Sequence, residues 1–371
     1  MSTAAPQDPV PLGMVGGGDG AFIGAIHRIA ARMDGQFTLV AGALSSDPAR
    51  AAASAGALGI ARSYADYREM ARAEAARPDG IRAVAIVTPN HLHAPVAIAF
   101  LDAGINVICD KPLTATREDA EALAAAVKRS SAHFFLTHNY CAHPMVREAR
   151  AMVADGDIGK LRLVQAEYLQ GWLSDDVHSK QADWRTDPAR SGAGAIGDIG
   201  THAWQLAEFV TGQTPASLSA DLSSMVEGRR VDDDARIALR YASGAKGGIW
   251  VSQVAAGQEG GLSLRLFGTE GALEWRLQDP EALIFTGKDG QALRMTRARD
   301  RSNSGRTPSG HPEGYLEAFA NLYRDIAEVI RGDDRHLDRI PGIRDGLSGM
   351  AFIFAAQDSA ARDGAWVEVK P

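Results

Sequence analysis

The sequence predicts a two-part α/β protein: a doubly wound parallel sheet, then an α/β domain with a large, mostly antiparallel, open-faced sheet. Three observations carry this. Up to residue 140, short apolar runs alternate with helical stretches, the grammar of a parallel sheet covered on both faces. Beyond it, strand-like runs follow one another with few helices between them. A chain of 371 residues also exceeds one ordinary core, so two domains are expected, 1–140 and 141–371, with the last helices able to pack back on the first.

The first ten residues read as a disordered tail. Leu12–Val15 gives a buried strand, followed by Gly16-Gly-Gly-Asp-Gly20 and a helix from about Ala21 to Arg32. Such glycines let the backbone approach a pyrophosphate seated at the positive helix N-terminus. Gly16, Gly18 and Gly20 are the candidate phosphate contacts, with Phe22 and Ile23 beside them. The pattern Gly16-x-Gly18-x-x-Ala21 competes with Gly18-x-Gly20 and Gly24, so the loop leaves its own register open. A second strand, Phe37–Leu44, ends at Ser45-Ser46-Asp47-Pro48. Asp47 stands where it caps the next helix, which leaves Ser45, Ser46 and Arg50 as the candidate ribose contacts. NAD and NADP both remain open at this position.

After Pro48 a helix-rich section follows, through Tyr64-Ala-Asp-Tyr67 to Arg77. The strand Ala83–Val87 then leads into Thr88-Pro89-Asn90 and His93, and a helix over 95–103 follows. Asn106–Cys109 leads into Asp110-Lys111-Pro112. A helix over 116–129 and the strand His133–Thr137 lead into His138-Asn139-Tyr140. Ligands of doubly wound sheets gather at the carboxyl ends of the strands. Gly16, Asn90, His93, Lys111, Asn139 and Tyr140 all fall there. Singly, Asn90 reads as a helix N-cap, His93 as a helix-start histidine and Lys111 as an exposed lysine opening a loop.

The second half opens with a helix over 144–154. Strands are expected at 161–169, 217–226, 235–241, 247–254, 262–267 and 272–276, with a hairpin turn at Ser243-Gly244. A loop at 291–311, mobile or lying over the site, precedes helices at 315–331 and 343–362. Tyr168, Gln170 and Trp172 are candidates for holding a sugar ring. Trp184-Arg185, in a loop, either clamps a cofactor or forms a surface cation–π stack. His311 is a further candidate substrate contact, while His27 and His143 read as incidental.

The sharpest chemical signal is Ser191–Phe209. A run of small residues ends at Gly197, and Asp198 suits a helix start. Asp198 and His202 are four apart, so a helix places them on one face. A carboxylate beside an imidazole raises its proton affinity and fixes its tautomer, which suits a general base. The plain alternative is an N-cap aspartate and a core histidine.

Composition narrows the classes. A net charge of −7 disfavours nucleic-acid and anionic-membrane partners. Two cysteines, Cys109 and Cys141, make no disulfide framework and read as buried thiols near strand ends. No His/Cys/Asp/Glu set has metal-ligand spacing. Without a signal-like start or an apolar run of roughly 20 residues, a cytoplasmic enzyme is the expectation.

Taken together, the glycine loop, Thr88-Pro-Asn90, Asp110-Lys-Pro112, Trp184-Arg185 and Gly197-Asp-Ile-Gly-Thr-His202 resemble, in their order, the Gfo/Idh/MocA oxidoreductase family. The likeness covers nearly the whole chain and is greatest for the branch of levoglucosan and inositol dehydrogenases. It implies a Rossmann domain holding NAD (NADP not excluded), and a second domain whose sheet builds a homodimer or homotetramer. Lys111, Asp198 and His202 occupy the catalytic positions, with a sugar, anhydrosugar or cyclitol as substrate. Asp110 departs from the Glu commoner before Lys-Pro. The same fold also serves NAD-dependent glycosidases and cofactor-binding sugar sensors, so both stand as alternatives.

Overall fold

The computed structural model of the protein describes residues 8–302 and 304–370. Most of the expected tail and Asn303 of the expected loop lie outside them. Backbone contacts divide the chain into two units: one runs to Thr137 and takes in Phe319–Ile343, and the other holds His138–Ala318 and the chain from Arg344 on.

In the first unit, strands and helices alternate as β1 (Val10–Gly16), α1 (Phe22–Met33), β2 (Phe37–Ala43), α2 (Pro48–Leu58), β3 (Arg62–Ser63), α3 (Tyr67–Ala75), β4 (Ala83–Val87), α4 (His93–Asp102), β5 (Asn106–Cys109), α5 (Arg117–Arg129) and β6 (Phe134–Leu136). The six strands form one parallel sheet in the order β3-β2-β1-β4-β5-β6. Every residue of β4 is buried, as a strand covered on both faces requires. The two-residue β3 sits inside the section read as helix-rich; two residues carry too little periodicity to show.

The second unit contains α6 (Pro144–Asp155), β7 (Leu161–Leu169), α7 (Lys180–Arg185), α8 (Pro188–Ser191), a π-helical turn at Ile196–Gly200 and α9 (Thr201–Thr211). The chain continues through β8 (Pro215–Ser223), β9 (Asp234–Tyr241), β10 (Lys246–Ser252), β11 (Gly261–Gly268), β12 (Gly271–Arg276), β13 (Ala282–Gly287) and β14 (Ala292–Thr296). Then come α10 (Tyr315–Ile330), which from Phe319 on belongs to the first unit, α11 (Ile343–Ala360) and β15 (Val367–Glu368). Nine strands form one sheet, ordered β14-β13-β12-β11-β7-β10-β9-β8-β15. Only β7 and β10 pair in parallel; their neighbours run antiparallel. The β9–β10 hairpin turns at Gly244, φ +87°.

Alternation along β7 and β11 separates two faces. Val164, Ala166, Leu264 and Leu266 are buried, while Leu163 and Phe267, paired across the strands, are exposed, and Arg265 reaches Glu167. α9 packs against β7, β10 and β11.

The expected loop at 291–311 is corrected in part: its first residues form β14. Arg297, nearly buried, donates to the carbonyls of Thr307 (2.9 Å) and His311 (2.6 Å) and to Glu313 (3.1 Å). Strands β13, β14 and β15 lie toward the sheet edges, where half-exposed residues blur the two-residue period. Cys109 is buried at the end of β5, but Cys141 is buried in a short helical turn.

Beneath α9, Glu208 accepts hydrogen bonds from Ser348, whose hydroxyl in turn accepts from Trp204. Burial, opposed by these bonds, pushes the Glu208 carboxyl up to about 7 from 4.5. A raised carboxyl contributes stability below the unfolded value, and that contribution is lost as pH rises from 4.5 toward 7. Glu208→Gln is therefore expected to raise the melting temperature by a few degrees at about pH 8 and by little near pH 5. Equal shifts at both values would contradict the assignment.

Candidate active site

In the first unit the glycine loop leaves the carboxyl end of β1. Gly16 sits at φ +79°, and a Cβ there would lie 2.8 Å from the carbonyl oxygen of Val87. Gly18 stands against the end of β2, where a Cβ would meet the Leu44 carbonyl at 2.9 Å. In the first turn of α1, a Cβ on Gly24 would lie 2.5 Å from Gly17 Cα. The loop thus uses Gly16 for the turn, Gly18 for approach to β2, and Gly24 for packing of helix on loop. Arg28 fastens it by donating to the Gly17 carbonyl at 2.6 Å. The N-cap of α1 is Ala21, which offers no side-chain acceptor, and no acid stands in the first turn. The dipole end and its first N–H groups are therefore suited to an anion. Phe22, at that end, is 60% exposed.

At the end of β2, Asp47 accepts from the Arg50 backbone at 2.8 Å, and its own N–H reaches Ser45 Oγ at 3.1 Å. This acid is committed to capping α2, while Ser46 and the Arg50 side chain are exposed.

Past β4, Thr88-Pro89 leads into a tight turn at Asn90–Leu92, and α4 starts at His93 with Leu92 as its N-cap and no side-chain cap. The N-cap reading of Asn90 is thereby corrected: the helix begins beyond it, and Asn90 is buried. His93 is buried as well, with Nδ1 2.8 Å from the Pro112 carbonyl and Nε2 2.9 Å from that of Thr88. Burial pushes its proton affinity down, so the neutral ring donates to one of these two carbonyls.

Past β5, Thr137 donates to Asp110 Oδ1 at 2.8 Å, and His27 Nε2 lies 3.7 Å from the same oxygen. His27 Nδ1 is 2.8 Å from the Tyr323 hydroxyl. His27 is therefore not incidental. Burial pushes the Asp110 carboxyl up, but the neighbouring His27, then Lys111 and His93, outweigh it and leave it at about 2. Lys111 follows, half-buried, joined to Pro112 by a cis peptide.

In the second unit the site is built on the π-helical turn. Asp232 shapes it: its carboxylate accepts from the N–H groups of Gly194 (2.8 Å) and Ile196 (2.7 Å). Asp198, inside the turn rather than at a helix cap, accepts from Arg185 Nε at 3.1 Å and Gln253 Nε2 at 2.9 Å. Arg185 lies on α7, not in a loop, and its guanidinium stacks 4.3 Å from the Trp184 ring centroid and 5.9 Å from that of Trp172. Trp172 donates to Gln170 at 3.0 Å.

One turn beyond Asp198, His202 is 7% exposed. Its ring stands edge-on to Tyr140 at 4.7 Å and to His138 at 5.4 Å, and Tyr168 is 6.1 Å away. The Tyr140 and Tyr168 hydroxyls are 2.6 Å apart. Burial holds both phenols protonated, that of Tyr168 pushed up to about 12. His143, stacked 6.2 Å from Tyr140 and also beside Trp275, is driven down to about 3 by burial and Arg147.

The second unit thus brings Tyr140, Tyr168, Arg185, Asp198 and His202 into one cluster. Asn139 is buried at its edge. The His311 ring is exposed and bonds its own turn at Pro308, 3.3 Å away. Asp232, Gln253 and His138 are not among the candidate residues of the sequence reading. A lone amide at a strand end gives no signal, although three successive acids at 232–234 hint at a loop anchor.

Two family descriptions match: an oxidoreductase family with an NAD-binding Rossmann fold over residues 10–138, and a GFO/IDH/MocA C-terminal domain over residues 146–274. A levoglucosan dehydrogenase from Pseudarthrobacter phenanthrenivorans is 31% identical over 76% of this chain and 77% of its own. The crystal structure of an oxidoreductase from Sinorhizobium meliloti is 48% identical, with a TM-score of 0.89 over 97% of this chain and all of that one. An inositol dehydrogenase homolog from Azotobacter vinelandii, complexed with NADH and myo-inositol, is 36% identical, with a TM-score of 0.90 over 97% and 98% of the two chains.

The first unit fits the dinucleotide: the Gly16–Gly24 cradle leaves no room for a Cβ, and the start of α1 carries no acceptor of its own. Gly24→Val pushes the loop off the helix and is expected to weaken NAD binding by at least about tenfold, the worth of roughly 1.4 kcal/mol. Calorimetric titration reads this, and an unchanged Kd would remove the loop from the binding site.

Proposed function

The chain belongs to the Gfo/Idh/MocA oxidoreductases, and from that premise we propose that it oxidises a secondary hydroxyl of a pyranose, anhydrosugar or cyclitol, or runs the reverse reduction. The observation that carries this reading is His202, buried against Tyr140 one turn after an Asp198 held by Arg185 and Gln253. NAD, when bound, supplies the hydride acceptor. His202 takes the hydroxyl proton as general base. Asp198, its carboxylate fixed by two donors, orients His202 or binds a neighbouring hydroxyl. Lys111 donates to the reacting oxygen and stabilises the charge that grows there. Tyr168 and Tyr140, protonated and mutually bonded, offer hydroxyls to the ring, with Gln170 and Trp172 flanking them. Relatives named for levoglucosan and inositol support a polyhydroxylated ring.

Incubation with NAD, and separately NADP, across pyranosides, 1,6-anhydrosugars and inositols tests the reading by the growth of reduced nicotinamide. Release of an aryl leaving group without net reduction would turn it toward the glycosidase. His202→Ala is expected to lower kcat by about 100-fold or more with the Kd for NAD unchanged; unaltered turnover would take His202 out of the mechanism.

We further assign the open face of the second sheet, around Leu163 and Phe267, to self-association. Leu163→Arg is expected to shift the mass measured by light scattering toward the monomer. An unchanged mass would place any assembly elsewhere.

A further inference from the structure

His27, in the first unit, is a fully buried histidine to which the reaction scheme gives no task. It lies in α1, against Phe319 and Tyr323. A neutral imidazole has two tautomers, and its neighbours choose between them. With the proton on Nδ1, the lone pair of Nε2 would point at a carboxylate oxygen 3.7 Å away, which is repulsive. With the proton on Nε2, the N–H faces Asp110 and Nδ1 accepts from the Tyr323 hydroxyl at 2.8 Å. This tautomer hydrogen-bonds Tyr323 and turns its N–H toward the Asp110 carboxylate, which at 3.7 Å is an electrostatic contact rather than a hydrogen bond. Two fully buried polar side chains beside a partly buried carboxylate carry a desolvation cost that hydrocarbon would avoid, so packing alone does not account for them.

Their placement does. Asp110 directly precedes Lys111, its N–H is tied to the Ile86 carbonyl at 2.9 Å, and Thr137 shares its Oδ1. The helix that carries His27 also carries Gly24, packed on the glycine loop. We propose that Tyr323, His27 and Asp110 form a buried relay that fixes the strand end carrying Lys111 relative to the cofactor loop, which makes His27 a positioning residue for the reaction. The inference rests on the role given to Lys111 above. His27 touches no reacting atom; it acts by preventing the Asp110 carboxylate, with Lys111 and His93 as its other charged or titratable neighbours, from re-pairing.

The test combines kinetics with a measurement on the free protein. His27→Gln is expected to lower kcat on the order of 100-fold, the effect of a small misplacement near the chemistry, with the Kd for NAD within about threefold. Tyr323→Phe, which removes one hydroxyl, is expected to cost about tenfold. Combining His27→Gln with Asp110→Asn is expected to be no worse than the weaker single variant, because both act through one carboxylate. Nitrogen-15 spectra of histidine-labelled protein without NAD are expected to show His27 protonated on Nε2, and a tautomer mixture in Asp110→Asn. Fully additive losses, or His27 protonated on Nδ1, would overturn the relay. If His27→Gln does not fold, Tyr323→Phe and the spectra decide. Wild-type turnover in Lys111→Met would refute the role of Lys111, whereas wild-type turnover in His27→Gln with an inactive Lys111→Met would refute the relay alone.

Discussion

Asp232 closes a turn that an ordinary helix does not make. Its carboxylate caps two N–H groups ahead of α9, and its carbonyl accepts from Ala195 at 2.8 Å. The backbone comes so near that a Cβ on Gly194 would lie 1.8 Å from that oxygen. The segment enters α9 through a π-helical turn, a local widening common at functional sites. Without that anchor the chain would settle into regular helix, and Asp198 would lose its bearing on Arg185 and Gln253. Downstream, α9 is held by Trp204, stacked 4.6 Å from Phe352. The His202 ring is thus set by packing on both sides of the turn.

The first unit follows the same rule with other groups. Its rim carries buried polar side chains, and each must find a partner or bear a desolvation cost. His93 meets it at one of two carbonyls and Asp110 with Thr137, while the exposed Asp47 caps its own helix. What remains at the start of α1 is a set of backbone donors suited to phosphate. The division of labour is physical: side chains satisfy one another, and the start of α1 keeps backbone donors that no side chain caps.

Much of this was legible in the residues. Apolar strands punctuated by glycine announced the parallel sheet, and the spacing of Asp198 and His202 placed them one helical turn apart, as they stand. The family resemblance rested on motifs close in sequence, such as Asp110-Lys-Pro112. What escaped notice depends on distance along the chain. His27 meets Tyr323 across 296 positions, and Asp198 meets Gln253 across 55. No local period encodes such pairs. The π-helical turn was hidden for another reason: Gly-Asp-Ile-Gly reads as a helix start, and only the contact with Asp232 shows that the turn is wider. The outer strands β13 and β14 failed to announce themselves because edge positions face water on more sides, which erodes alternation.

The central proposal is that His202 and Lys111 act on one substrate oxygen. A crystal structure of the protein with NADH and the sugar or cyclitol it turns over would test this most directly. The account predicts a His202 ring nitrogen and the Lys111 ammonium each within about 3 Å of the same oxygen. That oxygen would belong to the carbon facing the nicotinamide. A substrate seated with His202 on a hydroxyl remote from that carbon, or with Lys111 turned away, would contradict it.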